Sequence, residues 1–284
     1  MLLEKKLKNI LLRNKINYIS EIIAKTIITK SKLPGVDYCF NPYVGCLHGC
    51  VYCYARFMGR FAGYPNDKWG TYLDWKVNAP ELLKKEVLKI KEQGGVVIFG
   101  SVTDCYQPIE EKLELTRECL KIFLEHQIPI SILTKNVLVK RDFDLLKQFK
   151  YCELGVSISI LDKHHQQILE PGASSPEERI DVLREAFSSG LNTYAFLGPI
   201  HPFLTDIEDI FEKIAPFIKF IMVELPNLRC GNWGDFSEAL INLGIDSNEY
   251  KRVAESNDFY QKIKSLMKKL CEEKEVELRG IFRH

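Results

Sequence analysis

Nothing in the sequence approaches the run of about 18 to 20 apolar residues that a membrane-crossing helix requires, so no membrane span is expected. Charge of one sign is also missing: 39 lysines and arginines face 38 aspartates and glutamates, for a formal net charge of +1. Without an overall field, partners such as DNA, RNA or an anionic membrane have to be argued from local sites. The opening MLLEKKLKNILLRNKINYISEIIAK is broken by Lys, Arg or Glu every few positions and has no small-residue cleavage site. It does not read as a secretory leader, and a reducing cytoplasm is the expected compartment. No low-complexity stretch or obvious linker divides the 284 residues, enough chain for one large domain with a real core.

What the chain does have is cysteine, nine in all, at 39, 46, 50, 53, 105, 119, 152, 230 and 271. An odd number without a leader argues against a disulfide framework and turns attention to metal. Three of them crowd into NPYVGCLHGCVYCYARF, residues 41–57, as Cys46, Cys50 and Cys53. A structural zinc site takes four ligands, usually from two separated pairs, so zinc would need His48 or a distant cysteine as the fourth. A cubane iron-sulfur cluster has four irons; three thiolates leave one iron open to a substrate or cofactor. Gly45 and Gly49 would let the backbone wrap closely around either.

Beyond residue 95, short β-branched or aromatic runs alternate with helical periods. The runs are VVIFG (96–100), IPISILT (128–134), ELGVSISI (153–160), LNTYAFLG (191–198) and KFIMVEL (219–225), almost continuously apolar, as strands covered on both faces should be. With YCFNPYVG (38–45) as the first strand there are six, which predicts an α/β fold, a partial (β/α)6 barrel of TIM type with a small C-terminal helical extension. Residues 1–35 read as an N-terminal extension, 36–225 as the barrel core and 226–284 as a helical extension of the same domain, ending on the strand-like VELRGIF. Helix ends are readable at Asn78 with Glu81, and at Ser175-Pro176 with Glu178. In IEEKLELTRECLKIFLEH, Leu113, Thr116, Leu120, Phe123 and Leu124 share one helical face. Barrels of this kind carry their chemistry on the loops after the strands. Here those loops read CLHGCVYC, SVTDCYQP, TKN, LDKHH, GPIHPFLTD and PNLRCGNW.

The Cys-x3-Cys-x2-Cys triplet, with the aromatic Tyr52 before its last cysteine, resembles the cluster motif of the radical S-adenosylmethionine (SAM) superfamily. GSVTDCYQPIEEKLELTR, SILTKNVLVKRDFDLL, VSIS, LEPGASSPEERI and GPIHPFLTD follow in the order found in the branch related to spore photoproduct lyase, over residues 36–225. The resemblance implies a [4Fe-4S] cluster on Cys46, Cys50 and Cys53, with SAM chelating the fourth iron. Reductive cleavage of SAM would then give methionine and a 5′-deoxyadenosyl radical that abstracts hydrogen from substrate. It also implies an external one-electron reductant such as flavodoxin or ferredoxin, and a substrate the sequence leaves open, with nucleic acid among the candidates. A zinc-stabilised nucleic-acid-binding protein is the alternative from another class.

The same resemblance points to Tyr52 beside the SAM adenine and Lys135 as a partner for the SAM carboxylate. Ser157 would contact SAM, with Ser159 two residues on as its rival. Ser101, Thr103 and Asp104 fall where the superfamily meets the SAM amine, and Gly198, Pro199 and Ile200 where it lines the adenine. Each has a plainer reading: a packed Tyr, a solvated Lys, hydroxyls that satisfy local backbone, a helix cap and a turn. Tyr54 matches a tyrosine that, with a thiol, returns a hydrogen atom to the lyase product. The position for that thiol falls on Val102, and Cys105 lies three residues later, a departure from the lyase pattern. His164, His165 and His201 lie on loops suited to proton transfer or substrate recognition, or to plain solvation.

Overall fold

A computed structural model describes residues 18–65 and 69–284; residues 1–17, part of the N-terminal extension read from the sequence, lie outside them. The chain forms two compact units. The first holds the described residues up to Gly49 together with Ala55–Leu154, and the second holds Cys50–Tyr54 and Gly155–His284.

The first unit opens on β1 (Tyr18–Ile22) and β2 (Ile28–Lys30), followed by β3 (Tyr38–Phe40), β4 (Tyr43–Val44) and β5 (Tyr72–Lys76). β1, β5 and β4 make a small sheet that the hydrophobic pattern does not announce. β5 lines up parallel with β1 from Tyr72 against Tyr18, and antiparallel with β4 through Trp75 against Tyr43. Helix α1 (Ala79–Gln93) leads to β6 (Val97–Phe99). β2 pairs antiparallel with β3, β3 parallel with β6, and β6 parallel with β7 (Ile130–Thr134). Within the expected N-terminal extension, Tyr18–Ile22 and Ile28–Lys30 are thus strands of two sheets. The core of this unit centres on Phe40, Phe99 and Phe123, whose ring centroids lie 4.6 to 5.4 Å apart.

The helix expected from residue 109 to 126 is broken. Glu114 takes a left-handed φ of 49° and divides it into α2 (Glu110–Leu113) and α3 (Leu115–Glu125). The cause is a buried carboxylate: Glu110 accepts hydrogen bonds from the Thr116 and Arg117 amides at 2.9 and 3.3 Å, and also bonds Tyr43 and Arg141. The Asn78 side chain, expected as a helix cap, instead exchanges two 2.9 Å bonds with the Ala24 backbone. The unit closes with α4 (Phe143–Leu146) and the first half of β8 (Cys152–Ser157).

In the second unit, α5 (Lys163–Leu169) and α6 (Pro176–Ser188) precede β9 (Asn192–Leu197), and α7 (Ile207–Ile214) precedes β10 (Phe220–Glu224). The expected Ser175/Glu178 capping box is present in full. Then come α8 (Trp233–Asn242), α9 (Ser247–Ala254), α10 (Asn257–Lys274) and β11 (Glu277–Phe282). β9, β10 and β11 are parallel neighbours, so the C-terminal extension returns a strand to the sheet. Five of the six strands read from the sequence are found in place, while the first, expected over 38–45, is divided into β3 of the large sheet and β4 of the small one; the class is α/β with a parallel sheet. None of the described helices is long and apolar enough to cross a membrane.

Candidate active site

The boundary between the units runs through the cysteine loop. Cys46 and His48 belong to the first unit, Cys50 and Cys53 to the second.

In the first unit the loop is clasped by the segment after β6. Thr103 donates to the Gly45 carbonyl at 2.6 Å, and Gln107 accepts from the Leu47 amide at 2.8 Å while its own amide donates to Thr103 Oγ1 at 3.0 Å. Asp104 is the hub of a buried network. It accepts from the Tyr106 amide (2.8 Å), the Thr134 hydroxyl (2.9 and 3.0 Å) and the Lys135 amide (2.8 Å), and it stands 3.4 Å from His48 Nδ1. His48 Nε2 is 3.3 Å from the Asn136 amide nitrogen. Ser101 accepts from the Asn41 side chain at 3.0 Å. Ser101, Thr103 and Asp104 therefore tie the first half of the loop to the strand ends, while Lys135, half-buried, follows β7 directly.

Glycine is required in this wrapping. A Cβ on Gly45, at φ +88°, would sit 2.6 Å from the Tyr72 carbonyl oxygen, and one on Gly70, at φ +83°, would sit 2.8 Å from the Gly49 Cα. Two stretches of main chain cross at Gly49 with no room for a side chain.

In the second unit, Cys50 and Tyr52 are buried, Cys53 is half-buried, and the Cys53 amide turns back to the Cys50 carbonyl at 3.1 Å. Tyr52 is set in an apolar group with Phe236, Leu240 and Tyr250. Its ring lies 4.7 Å from that of His201, and its hydroxyl donates to Glu170. Burial, and then the Glu170 carboxylate, hold the phenol well above its ordinary pKa, so it is a hydrogen-bond donor at all working pH values. Tyr54 opens a 3₁₀ turn and is exposed. At the end of β8, the Ser157 hydroxyl donates to the Gly198 carbonyl at 3.3 Å. Ser159 Oγ is fully buried and has no hydrogen-bond partner among the described residues. Gly198, Pro199 and Ile200 are buried, and the Ile200 amide reaches the Glu224 carbonyl at 2.8 Å. His201 is buried against the Tyr250 hydroxyl at 2.6 Å. His164 and His165 follow Asp162, which caps α5 through the His165 amide at 2.7 Å, so both stand in the first turn of that helix and not in a loop.

Cys105 is 1% exposed, with its sulfur 3.8 Å from the Phe40 carbonyl in the strand core. Burial, reinforced by Asp104 and Glu110, pushes its thiol well above the ordinary range. Brief alkylation of the native protein between pH 7 and 8.5 should leave Cys105 unlabelled while it reacts fully after denaturation, as read by peptide mass spectrometry. Native labelling would show that the thiol opens to solvent.

The donor set fits a cubane cluster: three thiols within eight residues, with no fourth in the loop. Among the described residues no group of three His, Cys, Asp or Glu side chains is gathered around a single ion. In a cubane each ligand takes its own iron, and three thiolates need not converge on one point. The unsatisfied Ser159 hydroxyl is the matching feature for a polar cofactor such as SAM.

A parallel α/β fold carrying this cysteine loop defines a class of cluster-dependent enzyme, and the comparisons agree. A profile of the Radical SAM superfamily matches residues 40–214, and the chain belongs to that superfamily. Its cofactors are accordingly a [4Fe-4S] cluster and SAM. An uncharacterised protein of Methanocaldococcus jannaschii is 36% identical over 266 residues, covering 94% of this chain and 98% of its own. A protein of Pseudomonas phage M6 named radical SAM Nalpha-GlyT isomerase is 30% identical over 180 residues, 62% of this chain and 36% of its own. Among solved structures, spore photoproduct lyase complexed with dinucleoside spore photoproduct matches with a TM-score of 0.70 at 15% identity, covering 93% of this chain and 81% of that one. At that identity the likeness is one of fold.

Sequence reasoning missed Gln107, Glu170, Arg179 and Asn232 as parts of the loop's support. Arg179 carried a signal: it lies on the same face of α6 as Ile180, Leu183 and Ala186, which are buried, and a charge on an apolar face needs a buried partner.

Proposed function

We propose that the protein reductively cleaves SAM and abstracts a hydrogen atom from a nucleoside-bearing substrate, with Cys46, Cys50 and Cys53 as the ligands of the cluster. The cysteine triplet in its glycine-lined loop carries the reading. When held by Cys46, Cys50 and Cys53, the cluster would supply the one-electron reduction that cleaves SAM to methionine and a 5′-deoxyadenosyl radical.

The chain's own residues do the holding. Gly45, Gly49 and Gly70 let main chain approach the loop, and Asp104 with Thr134 fixes the backbone from which the Lys135 ammonium would meet the SAM carboxylate. Ser159, rather than the already bonded Ser157, is the hydroxyl with capacity for SAM. Gly198–Ile200 would present a buried apolar wall to the adenine. A reducing compartment and a flavodoxin- or ferredoxin-type donor belong to the same proposal. The substrate class draws on the dinucleoside held by the lyase of like fold and on the phage relative's name.

The test is anaerobic. Protein reconstituted with iron and sulfide is given dithionite and SAM, with and without thymine-containing oligonucleotides, and 5′-deoxyadenosine is quantified. Cleavage by the wild type and none by a variant lacking all three loop cysteines is the expected result. Deuterium passing from labelled oligonucleotide into 5′-deoxyadenosine would support the substrate class. Cleavage without such transfer would direct the search to other substrates, and a loaded cluster that never cleaves SAM under any condition would overturn the reading.

A further inference from the structure

We propose that Glu170, backed by Arg179, is a positioning residue for the second half of the cysteine loop. Through the Tyr52 hydroxyl it fixes the segment bearing Cys50 and Cys53, and it thereby tunes the reduction potential of the cluster those thiolates hold. The inference rests on the cluster-ligand reading above.

Glu170 and Arg179 are both fully buried and paired at 2.5 Å. A buried ion pair is weak support for stability, because two well-packed apolar residues often do as well or better. Its geometry is therefore the informative part. The two carboxylate oxygens divide their work: Oε2 takes the Arg179 guanidinium and Oε1 takes the Tyr52 hydroxyl. Arg179 is itself oriented by the Ser157 carbonyl at 2.9 Å, at the end of β8. The Gln166 amide donates to the Glu170 carbonyl at 2.7 Å, which holds the residue's main chain as well.

The loop is gripped at the two residues between the second and third thiols. The Val51 amide donates to the Leu169 carbonyl at 3.0 Å, and Asn232 donates to the Tyr52 carbonyl at 2.6 Å. Together with the Tyr52 hydroxyl, these bonds immobilise residues 51 and 52 in backbone and side chain. Cys50 and Cys53 flank the immobilised pair directly, so their sulfurs inherit its orientation. Hydrogen bonding and fixed charge beside the ligands are levers that set cluster potentials.

The experiment uses full-length reconstituted protein without SAM: wild type, Tyr52→Phe, Glu170→Gln and the double variant. Each is titrated potentiometrically while the reduced cluster is followed by electron paramagnetic resonance. Each single substitution is expected to change the reduced-to-oxidised ratio at the wild-type midpoint by about tenfold, equivalent to about 59 mV for a one-electron couple. The g values should shift as well. The double variant should show no more than the larger single effect, since both substitutions act through one bond.

A wild-type potential and spectrum in Glu170→Gln, or single effects that add, would overturn the proposal. If Glu170→Gln fails to fold, Tyr52→Phe leaves the ion pair intact and decides alone, an unchanged potential and spectrum being the negative result. Failure of the underlying reading looks different: a variant lacking the three loop cysteines would then bind as much cluster as the wild type.

Discussion

Cys50→Ala is expected to fold normally and to lose its cluster. Iron per chain after reconstitution should fall at least about tenfold, the brown colour should vanish, and 5′-deoxyadenosine formation should become undetectable. Two remaining thiolates cannot anchor a four-iron cubane whose fourth iron must stay open for SAM. The side chain is small and buried, so removing one sulfur leaves little void, and circular dichroism should match the wild type. Retention of both the cluster and SAM cleavage would remove Cys50 from the ligand set.

Arg179→Ala should destabilise the protein by about 3–5 kcal/mol, because it strands a fully buried carboxylate. Urea unfolding checks this through a lowered midpoint. Replacing both partners, as Glu170→Leu with Arg179→Met, should recover much of the loss, since no unpaired charge remains. The recovery stops short by about 1–3 kcal/mol, the usual cost of a buried donor left without an acceptor, here the Tyr52 hydroxyl. A double variant no more stable than Arg179→Ala would show that the pair's contribution is packing and not charge.

The parallel strands are the part of the fold that the sequence states most openly. Runs such as VVIFG and IPISILT lie in buried strands, and a residue with apolar neighbours on both sides has few other places to go. Local chemistry was equally readable where partners are three residues apart, as at Ser175 and Glu178. Long-range polar pairing was not. Glu110 breaks a well-patterned helix because its partners include Tyr43 and Arg141, 67 and 31 residues away, and no window of sequence contains them. Asn78 looks like a cap and serves instead as a tie to Ala24, 54 residues earlier. β5 was hidden for a related reason: YLDWK mixes charge with aromatics, and Asp74 is buried by virtue of the Tyr64 hydroxyl.

The candidate site divides the same way. The three thiols could be read from spacing, but the roles of Ser101, Thr103 and Asp104 could not. Their bonds run to Asn41, Gly45, Thr134 and Lys135, which three separate segments supply, one of them the end of β7. The bond that distinguishes Ser157 from Ser159 likewise runs to a carbonyl 41 residues downstream.

The second unit's core is completed by four residues, Cys50–Cys53, that come from more than a hundred positions upstream of the rest of it. A polypeptide beginning at Gly155 would carry six helices and three whole strands yet lack the aromatic plug that seals them, leaving Glu170 facing a vacancy the size of a phenol ring. Such a fragment should behave as a loosely packed, dye-binding globule, and a synthetic peptide spanning residues 46–57 added in trans should tighten it. During synthesis the loop emerges long before the core that receives it, so its docking is a non-local closure that is expected to be slow.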